Sequence, residues 1–115
     1  MDNFLHTVSA LNDETRVLII RFLDEHGALC VCDLQNSLDM IQSRLSRHLK
    51  ILKEGGFLRV ERKGTWAYYQ IRSPLDRFRS EAIEEIRHLD IKLPSLKLAE
   101  AVCSAKVSTK ESCKV

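Results

Sequence analysis

The sequence predicts a mainly α-helical domain that carries one β-hairpin, and three observations indicate this class. Apolar residues recur at helical spacing over most of the first 54 positions, the spacing changes to period two between positions 57 and 71, and helical spacing returns near position 75. A chain of 115 residues that is 44% hydrophobic is expected to form one domain with a modest core. Small chains of this kind often gain stability by forming dimers.

The first two elements are both expected to be helices. Residues Asn3–Leu11 have amphipathic helical spacing. Either Asn12 or Asp13 can cap a second helix, and Gly27 fits its C-terminal end. This second helix is apolar on nearly all sides, which predicts that it is the central, buried helix.

Two shorter helices follow, and a tight turn joins them. The first spans about Val31–Leu38, and Asp39–Ile41 form the turn. The second spans about Gln42–Glu54, and two glycines end it. The predicted core-facing residues are Val31, Leu34 and Leu38 in the first helix and Leu45, Leu49 and Leu52 in the second. Two short helices joined by such a turn predict a helix-turn-helix.

A β-hairpin is expected next. Period-two spacing over Phe57–Arg62 and Trp66–Ile71 predicts two strands, and Lys63–Thr65 supply the turn between them. A helix-turn-helix followed by a hairpin is the winged-helix arrangement, in which the second helix of the pair enters the DNA major groove. The predicted fold is therefore a winged helix-turn-helix.

The last predicted helix begins in the segment Ser73–Asp76. Ser73 suits the cap, Pro74 the first helical position and Asp76 the third. Its apolar residues follow at spacings of three, four, four and three, namely Leu75, Phe78, Ala82, Ile86 and Leu89. So narrow a seam favours packing against a partner helix. Packing against the chain's own core is the alternative.

Beyond Pro94 the apolar pattern fades. A short helical piece is expected around Leu96–Val102, and the remainder, rich in Ser, Lys and Thr, is expected to be partly mobile. We therefore predict a winged helix-turn-helix domain for DNA binding and dimerisation over residues 1–92, and a C-terminal tail over residues 93–115.

Positive charge is concentrated in the second helix of the pair and the hairpin. Residues 42–72 contain eight Lys or Arg and two acids, whereas the rest of the chain contains ten bases and fourteen acids. One basic block in an otherwise acidic chain predicts contact with a polyanion, and a solvated charged face is the alternative. Gln and Arg can form bidentate contacts with base edges, and Ser and Lys suit phosphates. The predicted DNA-contacting residues are Gln42, Ser43, Arg44, Ser46, Arg47, His48 and Lys50 on the helix and Arg62, Lys63 and Thr65 at the hairpin tip.

Several classes of protein are disfavoured. No stretch approaches the roughly 18 apolar residues of a membrane span. The N-terminal residues lack the basic and apolar regions of an export signal, so a cytoplasmic location is expected. The four cysteines are then expected to be thiols. No nucleophile or acid–base constellation is present, so the chain is not expected to be an enzyme.

Three strings resemble the ArsR/SmtB family of metal- and metalloid-sensing repressors. They are LCVCDL at Leu29–Leu34, SRHLKIL at Ser46–Leu52 and GTWAYY at Gly64–Tyr69, and the match covers roughly residues 4–89. The first string resembles the arsenic-sensing branch in particular. The resemblance implies a homodimeric repressor that leaves its operator when arsenic(III) binds as inducer. It also implies dimerisation through the first and last helices, here through Phe4, Leu5, Val8, Leu75, Phe78, Ala82, Ile86 and Leu89.

The resemblance makes Cys30 and Cys32 the expected arsenic ligands, since trivalent arsenic is thiophilic. Both lie at or near the start of a helix, whose dipole favours the thiolate. The arsenic-sensing pattern continues with a third cysteine where this chain has Gln35. Either two sulfurs suffice, as for an organoarsenical, or Cys103 or Cys113 of either subunit completes the site, or the tail cysteines are incidental.

Other functions remain open at this point. One alternative is a sensor of Cd(II), Pb(II) or a trivalent organoarsenical. Another is a redox regulator that uses the two thiols, although the spacing is CxC and not CxxC. The family also often has Ser at the start of the recognition helix, where this chain has Ile41 and therefore lacks a side-chain cap.

Overall fold

The computed structural model of this chain describes residues 1–98, and it arranges them as five helices around a three-stranded sheet. The elements are α1 (Asp2–Ala10), α2 (Glu14–His26), β1 (Leu29–Cys30), α3 (Val31–Leu38), α4 (Gln42–Glu54), β2 (Leu58–Lys63), β3 (Trp66–Ile71) and α5 (Arg77–Arg87). The helix pair α3 and α4 followed by the β2–β3 hairpin confirms the predicted winged helix-turn-helix. None of the helices within residues 1–98 is both long and apolar enough to cross a bilayer.

The helix ends explain why the chain changes direction where it does. The Asp13 carboxylate accepts the backbone N–H groups of Thr15 at 2.8 Å and Arg16 at 3.2 Å, so Asp13 is the N-cap of α2. Gly27 ends α2 with φ 83°, which favours glycine. Asp39 ends α3 in the left-handed region at φ 54° and begins the turn into α4.

The sheet has the order β1–β3–β2 and is antiparallel. Strand β2 pairs with β3 from Leu58↔Ile71 to Lys63↔Trp66, so the hairpin turn consists of Gly64 and Thr65 alone. The prediction had placed Lys63 in this turn. Strand β1 was not predicted, because two residues are too short to show a period.

The core forms between α2 and the elements that surround it. Four residues in the second half of α2 are buried, which confirms it as the central helix. They are Ile19, Ile20, Phe22 and Leu23. They pack with a cluster that includes Leu34, Leu45, Leu49, Leu52, Phe57, Leu58 and Ile83. The three predicted inner leucines of α4 are all in this cluster. On α3 only Leu34 of the three predicted core residues is fully buried, and the other two are half-buried.

Helix α5 begins three residues later than predicted. Asp76 is its N-cap, because its carboxylate accepts the Arg79 backbone N–H at 3.4 Å and also pairs with the Arg79 side chain at 3.0 Å. The ion pair with Arg79 is not available to the neutral Ser73. The apolar seam therefore divides: Ile86 packs in the chain's own core, whereas Phe78 and Leu89 are exposed.

The last described residues lie against the domain without forming a helix. Ile91 and Leu93 pack against the core. Residues Leu96–Leu98 are irregular, so the helix expected around Leu96–Val102 is wrong for these three positions. The remainder of that segment, and with it Cys103 and Cys113, lies outside the described residues.

Candidate functional site

The outward surface of α4 is polar, basic and accessible. Six of the seven residues proposed to contact DNA from this helix are exposed, namely Gln42, Ser43, Arg44, Ser46, Arg47 and Lys50. Within residues 1–98, Arg44, Arg47 and Lys50 form no ion pair with an acid. The helix also starts at Ile41 without a side-chain cap. This face therefore carries cations that no acid among residues 1–98 pairs with.

His48 is the exception, and its expected place on the outer surface is wrong. Its side chain is 5% exposed and lies between the buried leucines of α4. Its Nδ1 lies 3.2 Å from Nη1 of Arg16 on α2. The helical spacing could have predicted that His48 is buried, because positions 45, 48, 49 and 52 share one helix face. His48 therefore joins α4 to α2 and does not face a groove.

Arg16 holds His48 in its neutral form. A guanidinium only donates hydrogen bonds, so the Nδ1 atom that meets it must be an acceptor. Burial lowers the pKa of His48, the Asp13 carboxylate acts against this, and the Arg16 charge adds to it. The same guanidinium donates to the carbonyl oxygens of Ala10 at 2.9 Å and Ser9 at 3.2 Å. Sequence reasoning missed Arg16, because its partners are distant in the chain.

The hairpin tip offers a second polar surface. Arg62, Lys63 and Thr65 are all exposed there, as predicted. The Lys63 Nζ atom lies 5.6 Å from the centre of the Tyr68 ring, at cation–π distance. This contact holds the lysine against strand β3 while leaving its charge accessible.

The Cys30 sulfur is the N-cap of α3. It accepts the Asp33 backbone N–H at 3.4 Å, and the Asp33 carboxylate accepts the Cys30 backbone N–H at 3.3 Å. This reciprocal pair is a capping box in which a thiol replaces the usual hydroxyl. Cys30 is 5% exposed, and Cys32 lies half-buried in the first turn of the same helix. The predicted proximity of the two thiols to a helix start is thus present.

Burial favours the protonated form of both thiols, whereas the helix dipole favours the thiolate. Burial raises the pKa of the Cys30 thiol to about 12, and the neighbouring Asp33 charge adds to the rise. Burial also raises the pKa of Cys32. The helix dipole was expected to favour thiolates, but desolvation of a buried charge outweighs it here.

The same cysteine lies in the sheet that forms the wing. Cys30 pairs with Tyr68 and Leu29 pairs with Tyr69, so β1 is joined edge to edge with β3. Helix α3, which starts at the next residue, packs against α4. Cys30 and the helix that starts after it therefore contact both the hairpin and α4.

A third ligand is not found near these thiols in the described part of the chain. No group of three or more His, Cys, Asp or Glu residues among residues 1–98 could hold a metal ion.

At the far end of α3, Asn36 and Ser37 form hydrogen bonds with the chain after Pro94. The Ser37 hydroxyl accepts the Lys97 backbone N–H at 2.7 Å, and the Lys97 carbonyl lies within 3.3 Å of both side chains. Sequence reasoning gave no signal for this contact.

An apolar surface formed by α1, α5 and the residues just after α5 is left uncovered by the rest of residues 1–98. Its exposed members are Phe4, Leu5, Val8, Phe78 and Leu89. The rings of Phe4 and Phe78 pack together with centroids 5.4 Å apart, which joins the two helices. Leu75 and Ala82, which the sequence also assigned to the dimer surface, are half-buried and pack against the chain's own core. Contiguous exposed apolar side chains of this kind mark interaction surfaces.

Comparison with known proteins identifies the regulators this chain is similar to. The model of the bacterial regulatory protein family arsR matches residues 13–60. The arsenical resistance operon repressor of Escherichia coli strain K12 is 41% identical over 75 residues, which are 65% of this chain and 64% of that protein. An uncharacterized HTH-type transcriptional regulator of Methanocaldococcus jannaschii is 40% identical over 62 residues, 54% of this chain and 70% of that protein. The chain thus spans less than two thirds of the Escherichia coli repressor.

Solved structures share the fold. HlyU from Vibrio cholerae N16961 superposes with a TM-score of 0.66 at 24% identity, covering 79% of this chain and 95% of that one. The AntR antimony-specific transcriptional repressor superposes with a TM-score of 0.57 at 28% identity, covering 69% of this chain and 68% of that one.

Proposed function

Because this chain belongs to the arsR family of bacterial regulatory proteins, we propose that it is a transcriptional repressor that binds operator DNA as a homodimer and leaves it when arsenic(III) binds Cys30 and Cys32. One observation carries the proposal. The Cys30 side chain, a candidate ligand, caps α3, and the Cys30 backbone belongs to strand β1, which pairs with β3 of the wing. The residue proposed to bind the inducer is therefore in direct contact with elements that support the proposed DNA-binding surface.

The DNA contacts follow from the exposed face of α4. A winged helix places its second helix in the major groove, where Arg and Gln read base edges. Arg44, Arg47 and Lys50 supply the charge, and Arg62 and Lys63 of the wing reach the adjacent backbone. The unpaired cations of this face suit phosphates, whose neutralisation supplies much of the affinity.

The apolar surface of α1 and α5 is the proposed dimer interface. Phe4, Leu5, Val8, Phe78 and Leu89 would be removed from water there, which is the main favourable term in association. A two-fold dimer presents two copies of α4 to half-sites about 34 Å apart.

Neutral thiols suit arsenite as the inducer. When As(OH)₃ reacts with a thiol, one As–S bond replaces one As–O bond, and the thiol proton leaves with the hydroxide as water. No net proton is released and no electron is transferred. A divalent cation would have to displace one proton from each thiol, which the raised thiol pKa values oppose near neutral pH.

Binding would act on DNA through the cap of α3. Drawing Cys30 and Cys32 onto one arsenic atom moves the Cys30 sulfur, and the bond to Asp33 depends on its position. Loss of an N-cap costs about 0.5–2 kcal/mol. Coupling between an inducer and an operator is typically about 1–3 kcal/mol, so the cap alone is of the right size.

We propose that Cys103 supplies the third sulfur. The chain returns to α3 at Lys97, whose backbone bonds to Ser37. Cys103 follows six residues later, and an extended chain spans about 3.3–3.6 Å per residue, roughly 20 Å in all. Ser37 and Cys32 are separated by only about 7.5 Å of helical rise. Cys103 can therefore reach the thiols from the same subunit.

The test measures release from DNA. Fluorescence anisotropy of a labelled operator duplex would follow the wild type, Cys30→Ser and Cys32→Ser during titration with arsenite. We expect all three proteins to bind the duplex and only the wild type to be released. Normal release of Cys30→Ser by arsenite would refute the assignment.

X-ray absorption on the arsenite-loaded proteins would count the sulfurs bound to arsenic. We expect three in the wild type, two in Cys103→Ser, and three in the matched control Cys113→Ser.

A trivalent organoarsenical is the second candidate inducer. The described residues place two thiols and no third sulfur together, and an arsenic atom with one carbon substituent needs only two. Parallel titrations with arsenite, phenylarsine oxide, antimony(III), Cd(II) and Pb(II) would rank the inducers. Antimony belongs in this series because AntR, a structural relative, is antimony-specific. Release by peroxide without any response to metalloids would indicate a redox regulator.

A further inference from the structure

The Arg79 side chain joins three helices at one point. Its Nε–H donates to the Gly55 carbonyl, at the C-terminal end of α4, at 2.8 Å. Its Nη2 group donates to the Thr7 hydroxyl of α1 at 2.6 Å, and its Nη1 lies 3.0 Å from the carboxylate of Asp76, the cap of α5. Each of the three guanidinium nitrogens thus contacts a different partner: the end of α4, the Thr7 hydroxyl of α1 and the cap of α5.

The inner side of this junction is buried, whereas the Arg79 side chain is 23% exposed and its Asp76 partner 53% exposed. Thr7 is 2% exposed, and its hydroxyl also lies 3.2 Å from the Gly55 carbonyl. The Arg79 guanidinium carbon lies 5.9 Å from the centre of the Phe57 ring, which covers it from the core side. Displacing the guanidinium would take a charged donor from the buried Thr7 hydroxyl and from the Gly55 carbonyl, and this cost resists movement of α4 relative to α1.

The two glycines after α4 make room for this contact. A Cβ atom on Gly56 would collide with the Arg79 guanidinium. A Cβ atom on Gly55 would lie 2.9 Å from the Ala10 Cβ atom of α1. The pair therefore does more than end a helix: it lets α1 and the arginine of α5 approach the end of α4 directly.

We propose that Arg79 is a positioning residue that fixes the direction of α4 relative to α1 and α5 and so sets the half-site spacing that the dimer accepts. The inference rests on the proposed function. Helix α4 is about 20 Å long, so a small tilt at its bonded end moves its reading end by ångströms. A planar guanidinium fixes direction, whereas the Lys ammonium is a rotatable point charge.

The experiment starts from DNA selected by the wild-type protein. Duplexes enriched from a random library define the site, and versions with one base pair inserted or removed between half-sites test the spacing. Dissociation constants are measured by anisotropy for the wild type, Arg79→Met, Arg79→Lys and Thr7→Val. Arg87→Met is the matched control, because Arg87 anchors α5 to Asp24 of α2 by two bonds of 2.9 Å and does not bond to α4.

We expect the wild type and Arg87→Met to prefer the selected spacing by at least about tenfold. Arg79→Met and Arg79→Lys should keep less than about threefold preference. Thr7→Val loses the Thr7 hydroxyl but leaves the Arg79 contacts with Gly55 and Asp76, so its preference should lie between those of the wild type and the Arg79 variants. Sedimentation must show each variant to be dimeric. If Arg79→Met does not fold, the spacing preferences of Arg79→Lys and Thr7→Val test the positioning role.

Two failures are distinguishable. If folded, dimeric Arg79 variants keep the wild-type preference, the positioning role is wrong while the proposed function stands. If the wild type enriches no duplex at all, the proposed function itself fails, and this inference fails with it.

Discussion

The sulfur of Cys30 accepts the Asp33 backbone N–H at 3.4 Å and is also a proposed ligand of arsenic. A thiol is a weaker acceptor than a hydroxyl, so the cap it provides is weaker than that of Ser. This weakness is useful in a sensor, because the bond has to yield when the inducer binds. Ligand and cap can be separated by substitution, since Ser keeps the cap and Ala removes it.

Cys30→Ser and Cys30→Ala are expected to differ in stability but not in response. Cys30→Ser should retain the wild-type free energy of unfolding, because the hydroxyl can accept the Asp33 N–H. Cys30→Ala should lose about 0.5 kcal/mol, the lower end of the cost of an N-cap, because the thiol is a weak acceptor. Neither should be released from DNA by arsenite. Urea unfolding measures the first effect and anisotropy the second; equal stability of the two variants would show that the sulfur is not a working cap.

His48 predicts a dependence of stability on pH. Burial lowers its pKa in the folded chain below the ordinary value of 6.5, and the charged groups that face it are Asp13, Arg16, Arg44 and Arg47. The unfolded chain then binds the proton more readily, so stability is complete above pH 6.5 and falls as the pH drops toward the folded-state pKa. Urea unfolding between pH 8 and pH 5 should show this loss, and His48→Gln should have a shallower slope. An unchanged slope in His48→Gln would contradict the assignment.

At the scale of elements, β1 gives the sensing helix a direct path to the wing. The pairs Leu29↔Tyr69 and Cys30↔Tyr68 make this connection, and α3 also contacts β3 directly. Two pairs at the edge of a sheet are easily separated, since few hydrogen bonds hold them. The inducer would therefore loosen the wing together with the first turn of α3.

Hydrogen exchange should show this loosening. On addition of arsenite, the backbone amides of the first turn of α3 and of β3 (Trp66–Ile71) should exchange faster, because their cap and edge pairs weaken. The amides of α2 (Glu14–His26), which lies in the core, provide the internal control and should not change. The Cys30→Ser protein should show no change anywhere. Faster exchange in α3 alone, with β3 unaffected, would exclude the wing from the coupling.

The elements that the sequence predicts well are those long enough to show a period. The bounds of α3 and α4 match the expected residues, because each contains at least two turns with apolar residues on one face. Strand β1 has no period to read. The start of α5 was misplaced, because a Ser-Pro start is a common signal and the stronger cap at Asp76 depends on its contacts with Arg79.

Parts of the candidate site that depend on distant contacts could not be predicted in the same way. The exposed face of α4 follows from its leucine stripe alone. The roles of Arg16, Ser37 and Arg79 depend on partners 32 or more residues away, at Nδ1 of His48, the Lys97 backbone and Thr7. The protonation of the thiols depends on burial, which the helix dipole argument did not include.

At the scale of the whole molecule, α1 and α5 leave apolar side chains exposed, and α4 exposes a basic face that does not include them. The two surfaces have separate tasks in the proposal: one holds two chains together, and the other meets DNA. Dimerisation multiplies affinity, because the second half-site is bound at a high effective concentration. DNA binding should therefore fail when the apolar surface is disrupted, even though no DNA-contacting residue is changed.

Phe78→Asp is the substitution that tests this dependence. Phe78 is 41% exposed and packs on Phe4 in the apolar surface, so a carboxylate there would be buried in the dimer at high cost. Leu98→Asp is the matched control, because Leu98 is 42% exposed and lies outside that surface. We expect Phe78→Asp to sediment as a monomer and to bind the operator about 100-fold or more weakly, while Leu98→Asp remains a dimer with wild-type affinity. A folded, monomeric Phe78→Asp that still binds with full affinity would show that one chain reads the operator alone.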